Sequence, residues 1–110
     1  TFTVVMNRSQ DVIAGYFWCT TTNEILADNW AKIEVTFELD GVAIPAAEFN
    51  EETVASGSGP CTALSAKLSD WPAGEHSLIV ETTFTAALND GFADYPAGIY
   101  REEFTIYVEN

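Results

Sequence analysis

The clearest pattern along the chain is a strict alternation of apolar and polar residues over positions 31–39. The apolar positions are Ala31, Ile33, Val35, Phe37 and Leu39. Because successive side chains of a β-strand point to opposite faces, this period of two predicts a strand with one buried face. Asp40 and Gly41 follow directly and favour a two-residue hairpin turn, since both tolerate the positive φ angles that such a turn needs.

The same period recurs in two later segments. One runs from His76 to about Leu88 after a turn at 71–74, and the other from Tyr100 to Val108 after a Pro-Ala-Gly turn at 96–98. Weaker strand patterns cover residues 3–6, 15–20 and 61–68. Residues 23–30 favour one or two helical turns, whereas 48–60 and 89–98 are predicted to be loops. Six or seven strands separated by turns predict an all-β fold, an antiparallel β-sandwich.

Length and composition agree with one such domain over residues 1–110. A chain of 110 residues with 47% hydrophobic residues can bury one core but not two. No apolar run approaches the roughly 20 residues that span a bilayer, so no transmembrane segment is predicted. The sequence has no signal peptide, but it opens on Thr1 without Met, as expected of a processed or excised fragment. The missing signal is therefore no argument for a cytoplasmic location.

The charge balance excludes some partners. Seventeen Asp and Glu against four Lys and Arg give a formal net charge of −13. Such a surface repels phosphate groups and anionic membranes, so we expect no nucleic-acid partner. The acidity is explained by solubility or by a salty or acidic medium, and alternatively by binding of divalent cations.

Cys19 and Cys61 are the only cysteines, and two interpretations of them stay open. As a disulfide they would close a loop of about 42 residues, which contributes about 4 kcal/mol in the chain-entropy account. As free thiols they would be small buried residues of a reducing compartment. Neither has a His or a second Cys at a metal-binding or redox spacing, so zinc and thiol chemistry are not favoured.

Two stretches resemble a known family. The sequence Trp-Pro-Ala-Gly-Glu-His-Ser-Leu-Ile-Val at 71–80 and the strand at 103–108 are similar to the last two strands of bacterial extracellular immunoglobulin-like domains, relatives of fibronectin type III modules. The hairpin at 37–42 is similar to their central hairpin. The resemblance implies an immunoglobulin-like sandwich of about seven strands on a secreted or cell-surface bacterial protein. It also implies a non-catalytic role as spacer or interaction domain, with neighbouring domains or other proteins as partners.

The chain departs from the immunoglobulin pattern at two points. Cys61 falls before the penultimate strand rather than on it, so a Cys19–Cys61 disulfide would be non-standard for that fold. The Tyr usually found near the start of that strand is absent, and His76 lies close to its place. We expect His76 to have a structural role there.

No catalytic motif stands out, and we expect a non-enzyme. With 17 carboxylates, chance acidic pairs are unavoidable, and Glu34 and Glu38 lie on the solvated face of their strand. A Ser-His-Asp hydrolase would have to use His76, the single histidine, and no Gly-x-Ser-x-Gly motif accompanies it.

Calcium is the one cofactor for which candidate ligands exist. Asn89, Asp90 and Asp94 in one loop, with Asp28 and Asn29 in another, offer the hard oxygen ligands that Ca²⁺ requires. The EF-hand pattern is missing, however, and Asn-Asp-Gly is also a good turn sequence. No other cofactor is predicted.

Two alternative functions follow from other residues. Trp71, Tyr95 and Tyr100 lie at or beside loops and could form a glycan- or ligand-binding site, because exposed aromatic rings stack on sugars. The competing interpretation is that such rings belong to the core. Finally, the strand at 1–6 could pair with a neighbouring subunit of a surface filament instead of its own sheet.

Overall fold

The computed structural model describes residues 2–110, and its regular structure is almost entirely β. One helix and one 3₁₀ turn interrupt the strands, α1 at Asn23–Trp30 and the turn at Ala46–Glu48. The strands are β1 Phe2–Asn7, β2 Val12–Cys19, β3 Ile33–Leu39, β4 Val42–Ala43, β5 Asn50–Ser56, β6 Gly59–Leu68, β7 Gly74–Phe84, β8 Leu88–Asn89, β9 Asp94–Tyr95 and β10 Gly98–Glu109. These elements confirm the all-β class predicted from the sequence.

The strands form two main sheets and one short hairpin. The larger sheet has the order β1-β10-β7-β3-β4, the smaller has the order β2-β6-β5, and β8 pairs with β9. Every pairing is antiparallel except that of β1 with β10, which is parallel, so the expected antiparallel character holds for all pairs but this one.

One main core lies between the two sheets. The larger sheet contributes its inward residues to this core, and the smaller sheet covers them with residues of β2 and β6. The largest contributors are Met6, Phe37, Leu78, Ile106 and Val108 from the first sheet and Val12, Ala14, Leu64 and Leu68 from the second. The sheets therefore pack against each other through their apolar faces, as period-two patterning requires.

The hairpin between β3 and β4 has the turn that its sequence predicts. Asp40 and Gly41 both have positive φ angles, 51° and 81°, and Leu39 pairs with Val42 across the turn. The Asp-Gly prediction is confirmed because the backbone needs the left-handed conformation at both positions.

The prediction of a loop at 48–60 is wrong for most of that segment. Residues Asn50–Ser56 form β5, an edge strand paired with β6, and only Gly57 and Ser58 turn between them. Six of the seven residues of β5 are exposed. Strand β5 is held by backbone hydrogen bonds to β6, not by burial of its side chains. Its sequence therefore shows no alternation of apolar residues, and periodicity could not detect it. The 89–98 segment is mostly loop but contains the short β8–β9 pairing.

The first strand joins its own sheet. Phe2 pairs with Phe104 and Asn7 with Glu109, so one edge of β1 is taken by β10. Thr1, which the predicted first strand included, lies outside the described residues. Pairing of this strand with a neighbouring subunit stays a prediction, and among the described residues the opposite edge of β1 faces no strand.

Cys19 and Cys61 form a disulfide, with a sulfur–sulfur distance of 2.04 Å. The free-thiol interpretation is wrong. The bond joins neighbouring strands β2 and β6 of the smaller sheet, and does not cross between sheets. It is therefore non-standard with respect to the immunoglobulin pattern, in which the disulfide joins the two sheets.

Candidate functional site

An apolar groove lies between the two sheets and is open along the side where β1 and β2 lie. Its volume is about 420 Å³, which is within the range of small-ligand pockets. The walls come from β2 of the smaller sheet and from β1, β10 and β7 of the larger. Val4, Val12, Ala14, Val80, Phe104 and Ile106 provide most of the apolar lining.

The groove exists because β1 and β2 are both edge strands on the same side of the molecule. In the described residues each has a hydrogen-bonded strand on only one side, β10 for β1 and β6 for β2. The turn at 8–11 connects them without a strand that bridges the two sheets. The inward residues of both strands consequently line a cleft that no further backbone covers.

A few polar groups converge on the groove. Tyr16, Thr82 and Glu102 contribute to its lining. Burial raises the pKa of Tyr16 to about 12, with the nearby Glu102 charge acting in the same direction and a hydrogen bond with Thr82 opposing it. The Tyr16 hydroxyl therefore stays protonated at neutral pH and serves as a hydrogen-bonding group, not as a base.

Exposed apolar side chains concentrate on the strands that border this groove, and four of them, Val4, Ile13, Phe17 and Tyr100, line it. Within residues 2–110, ten large hydrophobic residues are exposed, and eight of them lie on β1, β2 and β10: Phe2, Val4, Val5, Ile13, Phe17, Ile99, Tyr100 and Tyr107. The other two, Val42 and Phe92, lie elsewhere. A clustered apolar surface marks an interaction site more strongly than scattered exposed residues do.

The three aromatic residues predicted to bind glycans are not brought together. Trp71 is 4% exposed and belongs to the core, where its Nε1 donates a hydrogen bond to the Leu68 carbonyl at 3.0 Å. Burial of the ring argues against a role for Trp71 in stacking on a sugar. Tyr95 and Tyr100 lie together instead, each with its ring against Phe84.

Trp71 also lies at the opposite end of β7 from this aromatic pair. It precedes Gly74, where β7 begins, whereas Phe84 ends the strand. Eleven residues of strand separate the two ends by roughly 35 Å. Of the three residues, Tyr100 alone lines the apolar groove, and its hydroxyl donates to the Pro96 carbonyl at 3.1 Å.

The side chains proposed for calcium hold their own loop together. Asn89 Nδ2 donates to Asp94 Oδ1 at 2.7 Å, and Asn89 Oδ1 accepts from the Gly91 N–H at 2.8 Å. Asp90 is buried, and its Oδ1 accepts from the N–H groups of Phe92 and Ala93. Burial acts to raise the pKa of Asp90, but these hydrogen bonds, together with one from the Tyr95 side chain, outweigh it and lower the pKa.

The second set of proposed calcium ligands faces two different environments. Asp28 forms a surface ion pair with Lys32 at 3.1 Å. Asn29 is 1% exposed, and its Oδ1 accepts from Trp18 Nε1 at 3.0 Å while its Nδ2 donates to the Asn89 carbonyl at 3.1 Å. Across residues 2–110, no group of three or more His, Cys, Asp or Glu side chains is placed to hold a metal ion.

Helix α1 positions Asn29 for this bridging role, which the sequence did not indicate. Thr22 caps the helix, because its Oγ1 accepts from the Ile25 N–H at 3.2 Å, and Glu24 lies favourably in the first turn. The cap fixes where the helix begins, and Asn29 then falls on the face that also buries Leu26. The one signal in the sequence was the position of Asn29 three residues after the apolar Leu26.

His76 joins two turns at the end of the molecule farthest from the 89–98 loop. Its Nδ1 lies 2.7 Å from Asp40 Oδ2 and its Nε2 lies 2.7 Å from the Pro72 carbonyl oxygen. Both partners are acceptors, so both ring nitrogens are required to donate, which only the protonated imidazolium does. The hydrogen bond with Asp40, assisted by that with Pro72, raises the pKa of His76.

No helix in residues 2–110 is long and apolar enough to cross a membrane. No protein-family model matches the chain, and searches of curated proteins and of solved structures find no match.

Proposed function

We propose that this chain is an immunoglobulin-like module of a secreted or cell-surface bacterial protein, where it serves as a non-catalytic spacer or interaction domain. The observation that carries the proposal is the parallel pairing of the first strand with the last, Phe2–Asn7 along Phe104–Glu109. Because both strands run the same way, the chain arrives and departs in one direction, as it does in a linear array of domains.

The strand order supports the immunoglobulin-like part of the proposal. In that fold the second, fifth and fourth strands form one sheet and the third, sixth and seventh form the other. Here β2, β6 and β5 form the smaller sheet, and β3, β7 and β10 are neighbours in the larger. The first strand departs from the simplest pattern, since it pairs with β10 rather than with β2.

The shape of the molecule supports the spacer part. Its principal dimensions are 46 × 26 × 24 Å. The 12 residues of β10 extend about 40 Å, so this strand fits only along the 46 Å axis. A force applied through the two chain ends therefore acts along the strands and shears all β1–β10 hydrogen bonds together.

Two further features support an exported location. Disulfides form and persist mainly in oxidising compartments outside the cytosol. A net charge of −13 favours solubility in an extracellular medium.

Single-molecule force spectroscopy tests this proposal. We expect the module, pulled through its two ends between marker domains, to resist a clearly higher force than the same module pulled through residue 75 and the C-terminus. Glu75 pairs with Tyr107 near the end of β10, so that second geometry peels the antiparallel strands β7 and β10 apart one hydrogen bond at a time. A Glu75→Cys variant provides the second attachment point, since Glu75 is exposed. Equal forces in both geometries would contradict the spacer proposal.

A further inference from the structure

The free edge of β2 carries no charge. Its eight residues, Val12–Cys19, include no Asp, Glu, Lys or Arg, and the uncharged run continues to Asn23. The nearest carboxylate before the strand, Asp11, lies 3.3 Å from Lys67 Nζ in an ion pair, so its charge is balanced locally.

The other edge of the same sheet is protected against pairing with another chain, and so is the far edge of the larger sheet. Strand β5 carries Glu51 and Glu52, and charged edge residues discourage edge-to-edge association. Strand β4 is two residues long and is followed closely by Pro45, which cannot donate to a ladder. Strand β2 is long and has neither charge nor proline.

The outer face of β2 is apolar as well as neutral. Ile13 is 65% exposed and Phe17 is 55% exposed, on either side of Gly15. Solvent exposure of a branched aliphatic residue and an aromatic residue on an unpaired strand is costly in a monomer. An association that places a strand of another chain beside β2 would cover these two side chains, and their burial would stabilise it.

We infer that this edge pairs with β2 of a second copy of the same chain, antiparallel about a two-fold axis at Gly15. This register places Ile13 of each copy opposite Phe17 of the other, an aromatic–aliphatic pair of the kind that stabilises antiparallel sheets. On the inner face it places Val12 opposite Trp18 and Ala14 opposite Tyr16. Every cross-strand pair within residues 12–18 is then uncharged, and the two smaller sheets become one six-stranded sheet.

A second copy fits this edge better than a charged partner does. The edge offers no charge with which an acidic or basic partner could pair, and it accepts an uncharged extended strand with apolar residues at alternate positions. Strand β2 is itself such a strand, and an isologous contact requires only self-complementarity. The pairing also places a strand of the second copy along the open side of the groove, which Val4 and Phe17 line.

Sedimentation equilibrium measures this association. We expect a monomer–dimer equilibrium between about 1 µM and 1 mM. Repulsion between two copies of charge −13 opposes dimer formation, so raising the salt concentration from about 0.01 M to 0.5 M should tighten the dimer by screening. A strictly monomeric mass over the whole range at both salt concentrations would overturn the inference.

Matched variants locate the interface. Ile13→Lys with Phe17→Lys should raise the dissociation constant by at least about tenfold, because two lysines per copy would face each other across the axis. Both residues are exposed, so the fold should persist, as circular dichroism can verify. Val42→Lys and Phe92→Lys, which change equally exposed residues elsewhere, should leave the dimer unchanged. Loss of the dimer in Val5→Lys but not in the β2 variant would overturn the pairing through β2.

Cysteine crosslinking tests the register. An equimolar mixture of Ile13→Cys and Phe17→Cys proteins should form a heterodimeric disulfide faster than either variant crosslinks with itself, because positions 13 and 17 face each other only between copies. Equal rates in the mixture and in the separate variants would contradict the register.

The dimer and the spacer proposal are tested independently, because the force measurement is made on single molecules. Absence of a dimer would leave the spacer proposal intact, and equal unfolding forces would leave the dimer intact.

Discussion

Cys19 and Cys61 lie directly opposite each other on adjacent strands, with their Cα atoms 4.0 Å apart. The neighbouring residues Thr20 and Pro60 share a backbone hydrogen bond at 3.0 Å, so the cysteines occupy the closer, non-hydrogen-bonded type of antiparallel pair. The bond therefore encloses α1, β3, β4 and β5 in one covalent loop without joining the two sheets.

Removal of this bond should lower stability through the unfolded state. The sequence separation is 42 residues, and closing a loop of that length contributes about 4 kcal/mol. We expect Cys19→Ala with Cys61→Ala to lower the free energy of unfolding in urea by about 2–5 kcal/mol. The oxidised wild type in the same buffer is the reference, and an unchanged midpoint would contradict this account.

The same loop should appear as hidden length when the molecule is pulled. In the oxidised protein the residues between Cys19 and Cys61 cannot extend. Reduction should therefore increase the length released on unfolding by about 150 Å, from the 42-residue separation at about 3.6 Å per residue. Contour lengths measured with and without reductant check this value, and equal lengths would show that the bond does not enclose that segment.

The contact between His76 and Asp40 should make stability depend on pH. The pKa of His76 is raised, so its contribution is complete below the unfolded value of 6.5 and is lost as pH rises through the folded value. For Asp40, burial acts to raise the pKa, but hydrogen bonds from His76 and the Ser77 N–H outweigh it and lower the pKa. Its contribution is complete above the unfolded value of 3.8 and is lost as pH falls through the folded value.

The pair should therefore be most stabilising between these two unfolded values, near pH 5. We expect His76→Gln to reduce the loss of melting temperature between about pH 5 and pH 9, since Gln does not titrate. Asp28→Asn, which removes an exposed ion pair with Lys32, is the control and should leave the pH profile nearly unchanged. Identical pH profiles for the wild type and His76→Gln would refute the role of the contact.

The residue pattern over short segments predicted strand β3, the turn after it and helix α1. The alternation at 33–39 and the Asp40-Gly41 pair specify a strand and a turn within ten residues, and the structure has both. The helix at 23–30 was predicted over its full extent. Strand β5 was missed because its order comes from backbone pairing with β6, not from the burial of its own side chains.

The candidate site depended on contacts that sequence spacing does not reveal. Trp71 follows a strand and precedes a Pro-Gly turn. Such a position is compatible with either an exposed or a buried side chain, and only the packing of the core shows that the ring is buried. Asn29 contacts Asn89, which is 60 residues away. The groove itself arises because β1 and β2, although consecutive, belong to different sheets.

Asn29 should be essential for docking the helix onto the 89–98 loop. Asn29→Ala would leave the Trp18 indole N–H and the Asn89 carbonyl without their partner, so we expect a loss of about 2–4 kcal/mol in the free energy of unfolding. Asn23→Ala, an exposed position of the same helix, should change stability far less. Hydrogen exchange of the loop amides should accelerate in the Asn29 variant alone, and equal protection in both variants would rule out the bridging role.

Trp71 should behave as a core residue rather than as a ligand contact. Its ring packs edge-on against His76 with centroids 5.3 Å apart, and its indole N–H satisfies a backbone carbonyl. We expect Trp71→Ala to lower the free energy of unfolding by about 3–5 kcal/mol, because a large buried side chain and a hydrogen bond are lost together. Phe92→Ala is the matched aromatic control, since Phe92 is 59% exposed and its truncation should cost far less. Urea unfolding of both variants makes the comparison, and equal midpoints would mean that the ring is not part of the core.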